Sequence, residues 1–276
     1  MGISRRGALR ALAASSVGLG TGAIAYGMAY ERHRVERLDV DVRVTGLPPE
    51  FEGLRLGLIT DIHHSDTVPA DDVARAVSLL AAARPDLVVL GGDYVTFGDR
   101  KFVGPVAELL SPLADAPLGS FAVLGNHDDD RDMPAALASH RFTVLKDQRT
   151  RLTVKGEALD IAGIRFWTRR PADLARVLKG AGGATILLAH DPRRLAEAAR
   201  FDVQLVLSGH THGGQVVVPG VGAIAGRKFP VLAGVGTEGN ATVFVSRGVG
   251  TVYVPVRINC PPDVAVLTLR RASDRL

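Results

Sequence analysis

Five short apolar runs in this chain of 276 residues each end, with little or no intervening turn, in residues that can donate a lone pair to a cation. They read LGLITDIHH (Asp61, His63), LVVLGGD (Asp93), FAVLGNHD (Asn126, His127), ILLAH (His190) and LVLSGHTHGG (His210, His212). Four of the five are leucine-rich or β-branched and show no polar alternation, the pattern of strands buried on both faces. α/β proteins gather side chains from distant parts of the chain onto one sheet edge by ending such strands together. The feature restricts the fold to the α/β class and points to a hydrolytic metal centre.

The rest of the chain fits that class. Val73, Ala76, Val77 and Leu80 lie at helical spacing between Pro69 and Arg84, and Pro85 stops the run. Pro105–Leu110, Met133–His140, Pro171–Leu178 and Pro192–Ala199 read as further helices, three with proline at the first turn. Strands are expected at Leu54–Thr60, Asp86–Leu90, Phe121–Leu124, Leu159–Ile164, Thr185–Ala189 and Val203–Leu207. The last third turns valine-rich with Gly and Pro between short runs: Gln215–Val218, Thr242–Ser246, Val252–Val256 and Val264–Leu269 read as strands. An alternating β/α part with a β-rich tail implies two sheets packed face to face with helices outside. No repeat or long linker interrupts residues 38–276, which read as one domain.

The formal charge of +4 would suggest an anionic polymer as partner, but its distribution argues otherwise. Six of the 33 basic residues and two of the 29 acidic ones fall in residues 1–37, so the remaining chain carries 27 of each. With only 5% aromatic residues as well, no nucleic-acid surface is indicated. The basic excess belongs to an N-terminal segment in which Ser4-Arg5-Arg6-Gly7-Ala8-Leu9-Arg10 precedes twenty uncharged residues, 11–30. The paired arginines and the apolar stretch resemble a twin-arginine export signal, with Ala23-Ile24-Ala25 as a cleavage site. Twenty uncharged residues are also about enough for an uncleaved membrane anchor. Three arginines precede the stretch and three follow it, so charge does not set the orientation, and the twin-arginine pattern favours a catalytic domain outside the cytoplasm. Cys260, the one cysteine, excludes an intrachain disulfide and reads as a small semi-buried residue.

The donors named above mix hard oxygen with imidazole nitrogen, which suits Mn, Fe, Zn or Co, and they include no thiolate of a structural zinc site. Two such cations about 3.5–4 Å apart would supply both a nucleophile from water and positive charge for phosphoryl oxygens. GHTHGG is the strongest single element: histidines at alternate positions of an extended segment face one side, and the glycines permit close backbone approach.

The order D-x-H, GD, GNHD, H, GH-x-H resembles the calcineurin-like metallophosphoesterase superfamily from Leu54 onward. GHTHGGQ, SRGVGT and PVRINCPP are similar to its membrane-anchored or exported bacterial branch, which includes phosphodiesterases and hydrolases of UDP-2,3-diacylglucosamine. The resemblance implies a four-layer αββα sandwich with a dinuclear site at the strand ends. Asp61, His63 and His212 would bind one metal and Asn126, His190 and His210 the other, with Asp93 bridging. His127 would stand aside from the metals and serve the leaving oxygen; Asp128 could orient it, or is a solvated loop aspartate. The implied reaction is hydrolysis of a P–O bond, most simply in a phosphodiester, by attack of a metal-bound hydroxide. The substrate would be a phosphate-ester small molecule or a lipid-linked one. A pyrophosphatase acting on a UDP-diacylglucosamine-like lipid A precursor is the enzymatic alternative, and a non-catalytic envelope binding protein is the alternative of another class.

The stretch Arg165-Phe166-Trp167-Thr168-Arg169-Arg170 stands where members of that branch often carry an acidic residue. Arg165 and Arg169 could hold a substrate phosphate and Trp167 could stack a base or sugar, or the loop is a solvated one with a packed tryptophan. His64 reads as a bystander to His63, and His33 and His140 as surface residues.

Overall fold

A computed structural model of the chain describes residues 5–272. In chain order its strands are β1 (Glu36–Thr45), β2 (Arg55–Ile59), β3 (Leu87–Leu90), β4 (Ser120–Ala122), β5 (Thr143–Val144), β6 (Gln148–Val154), β7 (Glu157–Ile164), β8 (Thr185–Ala189), β9 (Leu205–Ser208), β10 (Val217–Val218), β11 (Gly222–Ala223), β12 (Gly234–Glu238), β13 (Ala241–Val245) and β14 (Asp263–Ala272). The helices are α1 (Arg5–Ala29), α2 (Ala70–Ala82), α3 (Val103–Leu110), α4 (Asp132–Ser139), α5 (Pro171–Leu178) and α6 (Leu195–Arg200).

Two six-stranded mixed sheets form the body, in the orders β1-β14-β2-β3-β4-β5 and β12-β13-β9-β8-β7-β6. The apolar runs build them because successive side chains point to opposite faces. Leu56, Leu58, Leu87 and Val89 of the first sheet meet Ile161, Ile186, Leu188, Leu205, Leu207 and Phe244 of the second in the central core. Ile59, Val88 and Leu90 face the other way, onto Val73, Val77 and Leu80 of α2, Val106 and Leu110 of α3, and Met133 and Leu137 of α4. On the opposite side Ala162, Leu187, Val206 and Val243 pack on Leu174 of α5 and Leu195 and Ala198 of α6. The result is helix, sheet, sheet, helix: the four-layer sandwich.

The structure corrects two strand expectations and adds edge strands. Residues 252–256 form no strand: Val254 and Val256 donate to the carbonyls two residues back, and Arg257 N donates to Gly27 O, so no ladder partner remains. Of the expected strand from Gln215 only Val217–Val218 forms a ladder and Val216 makes a single bridge to Ile258, because Gln215 adopts a positive φ of 53° at the end of a turn. The edge strands β1 and β6 lie outside all the apolar runs, since only one of their faces is covered.

β1 starts at Glu36 and runs parallel to β14 in continuous register to Thr45, which ties the end of the N-terminal segment into the first sheet. Just before it, Glu31 is buried and accepts from Cys260 N, and Gly27 lies so close to residues 256–258 that an added Cβ would sit 2.5 Å from Arg257 O. His33 is not a free surface residue; its Nδ1 lies 2.5 Å from Asp72 Oδ2. Among the described residues no helix is long and apolar enough to cross a membrane. Ser4, at the head of the arginine pattern, lies outside the described residues.

Candidate metal centre

β2, β3 and β4 run parallel in one sheet, and β8 and β9 in the other, so their C-terminal ends meet along one edge. The donors leave these ends in strained backbone. Asp61, His63, Asp93, His210 and His212 all have φ between 50° and 70°, a region that non-glycine residues rarely adopt. Main-chain bonds hold the turns: Asp61 N donates to Gly92 O, His63 N to Asp93 O, and Gly209 N to His190 O. Glycines let them interlock. An added Cβ on Gly209 would sit 2.0 Å from Asp61 Oδ2, and one on Gly125 would sit 2.0 Å from Asp93 Oδ1.

The side chains form two groups, Asp61 with His63 and His212, and Asp93 with His190 and His210, the donor atoms of each within 4.8 Å of one another. Asp93 Oδ2 lies between them, 3.5 Å from His63 Nε2 and 3.1 Å from His190 Nε2. Asn126 Oδ1 is buried without any hydrogen-bond partner, and so is His190 Nε2 for want of suitable geometry. Buried polar atoms in folded proteins are nearly always paired, so these point to cations as the missing partners. The residues present therefore fit two divalent ions.

His210 and His212 do not share a side of an extended segment, as the alternate spacing suggested. Left-handed backbone at both, with a tight turn over His212–Gly214, sends one to each group. Gly213 and Gly214 are required there, with φ of 60° and 83°, and a Cβ on Gly213 would sit 2.7 Å from Cys260 Sγ. His64 turns away from the centre, its Nδ1 bonded to Val68 O and its ring against Phe102.

Burial opposes charge throughout the centre, and opposite charges decide where it survives. Burial drives His63 down to about 3 and His210 to about 4. It also works against His190, but Asp93 and Asp61 outweigh it and push that histidine up to about 10. Asp93 stays well below the usual carboxylate range, because His190, His63 and His127 overcome its own burial.

His127 belongs to neither group. Its ring packs edge-on to that of His63 at 4.9 Å, and its Nδ1 accepts from Phe97 N at 3.1 Å. A backbone donor on Nδ1 places the proton of the neutral imidazole on Nε2. Asp128 does not orient His127. Its oxygens instead accept from Asp93 N, Tyr94 N and Gly125 N, so it fixes the backbone that carries Asp93. Burial, with Asp93 nearby, raises its carboxyl to about 7.

The basic-aromatic loop divides. Arg165 is already engaged by Asp147 and Asp130, and so is not free to bind phosphate. Trp167 is 64% exposed rather than packed, edge-on to Phe166, and the Arg169 guanidinium lies 5.3 Å from both ring centroids. The residue that reaches the centre is Phe166, 5.1 Å from His210.

Arg257 carries a role that the sequence reading missed. It is fully buried and makes no ion pair among the described residues. Its guanidinium donates to Gly250 O at 2.6 Å, Arg247 O at 2.8 Å, and Gly248 O and Cys260 O at 3.1 Å, with His212 O at 3.5 Å. It thereby binds the 247–250 loop to the turn at His212. That loop in turn covers Asp61 and His63, since Gly250 N donates to Asp61 O and an added Cβ on Gly248 would sit 2.4 Å from Asp61 Cβ. The PVRINCPP segment held the signal, an arginine among apolar and proline residues, but nothing local shows what it binds.

Known proteins place this arrangement. A family model described as calcineurin-like phosphoesterase matches residues 54–214. The phosphodiesterase YaeI of Escherichia coli is 33% identical over 76% of this chain and 80% of its own length. The uncharacterized metallophosphoesterase YkuE of Bacillus subtilis is 28% identical over 97% of this chain and 96% of its own. A solved dimetal phosphatase from Danio rerio covers 72% of this chain and 88% of its own at 12% identity and a TM-score of 0.45. The chain belongs to the calcineurin-like phosphoesterase family of metal-dependent phosphoester hydrolases.

Proposed function

We propose that the chain is a phosphodiesterase with a two-cation centre. One cation would be held by Asp61, His63 and His212, the other by Asn126, His190 and His210, and Asp93 would bridge them. The observation that carries this is Asp93 Oδ2 between the two donor groups, with His127 beside them but outside both. Two such ions, when bound, supply a nucleophile from water and positive charge against the phosphoryl oxygens. The chain's own residues do the rest. Asp128 fixes the backbone of Asp93, and the buried carboxylates and imidazoles hold their places without solvent reorganisation. His127, with Nδ1 held by Phe97 N, presents its Nε2 proton to the oxygen that departs from phosphorus.

The similarity to a protein named phosphodiesterase supports a diester over a monoester. We further propose that the N-terminal segment exports or anchors the protein, with the catalytic domain outside the cytoplasm. Its arginine pattern supports this, and a reporter fused after the C-terminus tests it.

The test of activity is purification, reconstitution with Mn²⁺ or Zn²⁺, metal analysis and assay with bis-p-nitrophenyl phosphate. Roughly two bound ions and turnover are expected. Asp93→Asn should lose both, whereas His127→Ala should keep the metal and lose about 10²- to 10⁴-fold in turnover. Full metal occupancy without turnover of any diester would instead mark an envelope binding protein that keeps the fold.

A further inference from the structure

We propose that the cleft beside His127 binds an alkyl or acyl chain, so that the substrate is an amphiphilic phosphodiester whose apolar part lies on the leaving-group side; this rests on the phosphodiesterase reading above. The cleft holds about 370 Å³, and its walls include Phe97, Phe102, Tyr253, Val254 and Pro255. That volume is within the usual range of small-molecule sites. Its position ties it to the reaction. The Phe97 ring lies 4.9 Å from that of His127 and the Tyr253 ring 6.3 Å, so a group departing on the His127 side passes these two rings.

Both aromatic residues are held outward. Phe97 is 66% exposed and Tyr253 80% exposed, and each sits in left-handed backbone, at φ of 51° and 64°. Large apolar side chains kept in water at strained positions beside a reaction centre mark a contact surface.

The choice of an alkyl chain follows from geometry and charge. The two rings lie 5.7 Å apart at 56° to one another, so they touch and form one apolar wall, with no parallel gap to sandwich a base. Asp66 on the rim is paired with Lys101 and Asp99 caps the turn at Lys101, and no cationic side chain lines the cleft to hold a second phosphate, which disfavours a nucleotide leaving group. Thr67 and Thr251 line both this cleft and the adjoining contact with Arg32, whose guanidinium bonds Thr67 O. The cleft therefore opens beside the foot of α1, where Tyr26, Met28 and Tyr30 are exposed.

Calorimetric titration of the full, Mn²⁺-loaded protein with ethyl, butyl, hexyl and octyl phosphate tests this. A fully buried methylene gives about fourfold in affinity. The cleft is open on one side, so hexyl phosphate should bind at least about tenfold tighter than ethyl phosphate. Phe97→Asn and Tyr253→Asn remove the wall with a residue that tolerates left-handed backbone, and each should flatten the series. Hexyl phosphate should also outbind its equally long analogue 2-(2-hydroxyethoxy)ethyl phosphate on the wild-type protein, which requires no variant. Equal affinities, a flat series, or tighter binding of a nucleoside 5′-monophosphate would overturn the proposal. A flat series with bis-p-nitrophenyl phosphate turnover intact refutes the chain site alone. A rising series without turnover of any diester refutes the phosphodiesterase reading, and the amphiphilic-substrate claim with it.

Discussion

Arg257→Lys asks whether one buried side chain holds the loops that carry the metal ligands. The substitution keeps the charge and changes only the donor geometry. The guanidinium serves four carbonyls at 2.6–3.1 Å with its fork of in-plane donors, from Arg247, Gly248, Gly250 and Cys260. An ammonium offers three donors from a single point and cannot span that set. At least two of the carbonyls would lose their bond, and each buried acceptor left unpaired costs about 1–3 kcal/mol. The expected loss is thus about 2–6 kcal/mol. At roughly 2–4 °C per kcal/mol for a domain of this size, the melting temperature should fall by about 4–24 °C. Because the same loops cover Asp61 and position His212, metal affinity should fall as well, by about 10- to 100-fold, as is usual when groups that orient ligands are changed. Thermal melts of metal-free and Mn²⁺-loaded protein, with competition against a chromophoric chelator, measure both quantities. Melting within about 2 °C of wild type with unchanged affinity would refute the reasoning. The glycine contacts and main-chain bonds would then suffice without the guanidinium.

Gly209→Ala places a methyl group 2.0 Å from Asp61 Oδ2 and 2.5 Å from Thr60 Oγ1, so the carboxylate must move. Metal analysis should show at least one ion lost from a folded protein, and retention of both would count against the proposed ligand set. Cation uptake should release a proton, because His190 is held up to about 10 by Asp93 and Asp61 despite its burial. Apparent affinity should therefore rise with pH through the neutral range, and calorimetric heats should depend on the buffer's ionisation enthalpy; buffer-independent heats would exclude this. Burial alone would raise Asp160, but bonds from Arg151, Gly182 N and Arg149 outweigh it and hold the carboxyl below its ordinary value. Its stabilising contribution is present above the unfolded pKa of about 3.9 and is lost as pH falls below that. Asp160→Asn should accordingly flatten the acid limb of a stability profile, and an unchanged limb would show the cluster to be unimportant.

The centre was legible in the sequence because strands buried on both faces leave unbroken apolar runs, and the donors stand where those runs stop. Leu56 to Asp61 and Leu205 to His210 show this directly. What escaped depends on contacts between distant parts of the chain or on backbone geometry. Arg165 looked free until Asp147 came alongside, 18 residues away. The alternate spacing of His210 and His212 suggested a common side, but left-handed backbone sends them apart. Residues 252–256 have β-branched composition, yet Tyr253 takes a left-handed φ, Val254 and Val256 donate locally, and Val252 N donates to the Gln215 side chain. β1 and β6 were overlooked for the opposite reason: edge strands alternate with polar residues and lack the run that marks a buried one.

Both groups of ligands draw from both sheets, and this bears on how the protein comes apart. Asp61 follows β2 in one sheet and His212 follows β9 in the other, 151 positions later, with Asp61 Oδ1 and His212 Nε2 only 3.4 Å apart. An ion held by both closes a chain loop of a size at which a covalent cross-link would be worth about 4–5 kcal/mol by the chain-entropy argument. A chain whose one cysteine allows no intrachain disulfide would thereby gain a detachable clasp between its two sheets. With the ions bound as proposed, separation of the sheets would have to break coordination first, and the lifetime of the folded protein would be tied to metal supply.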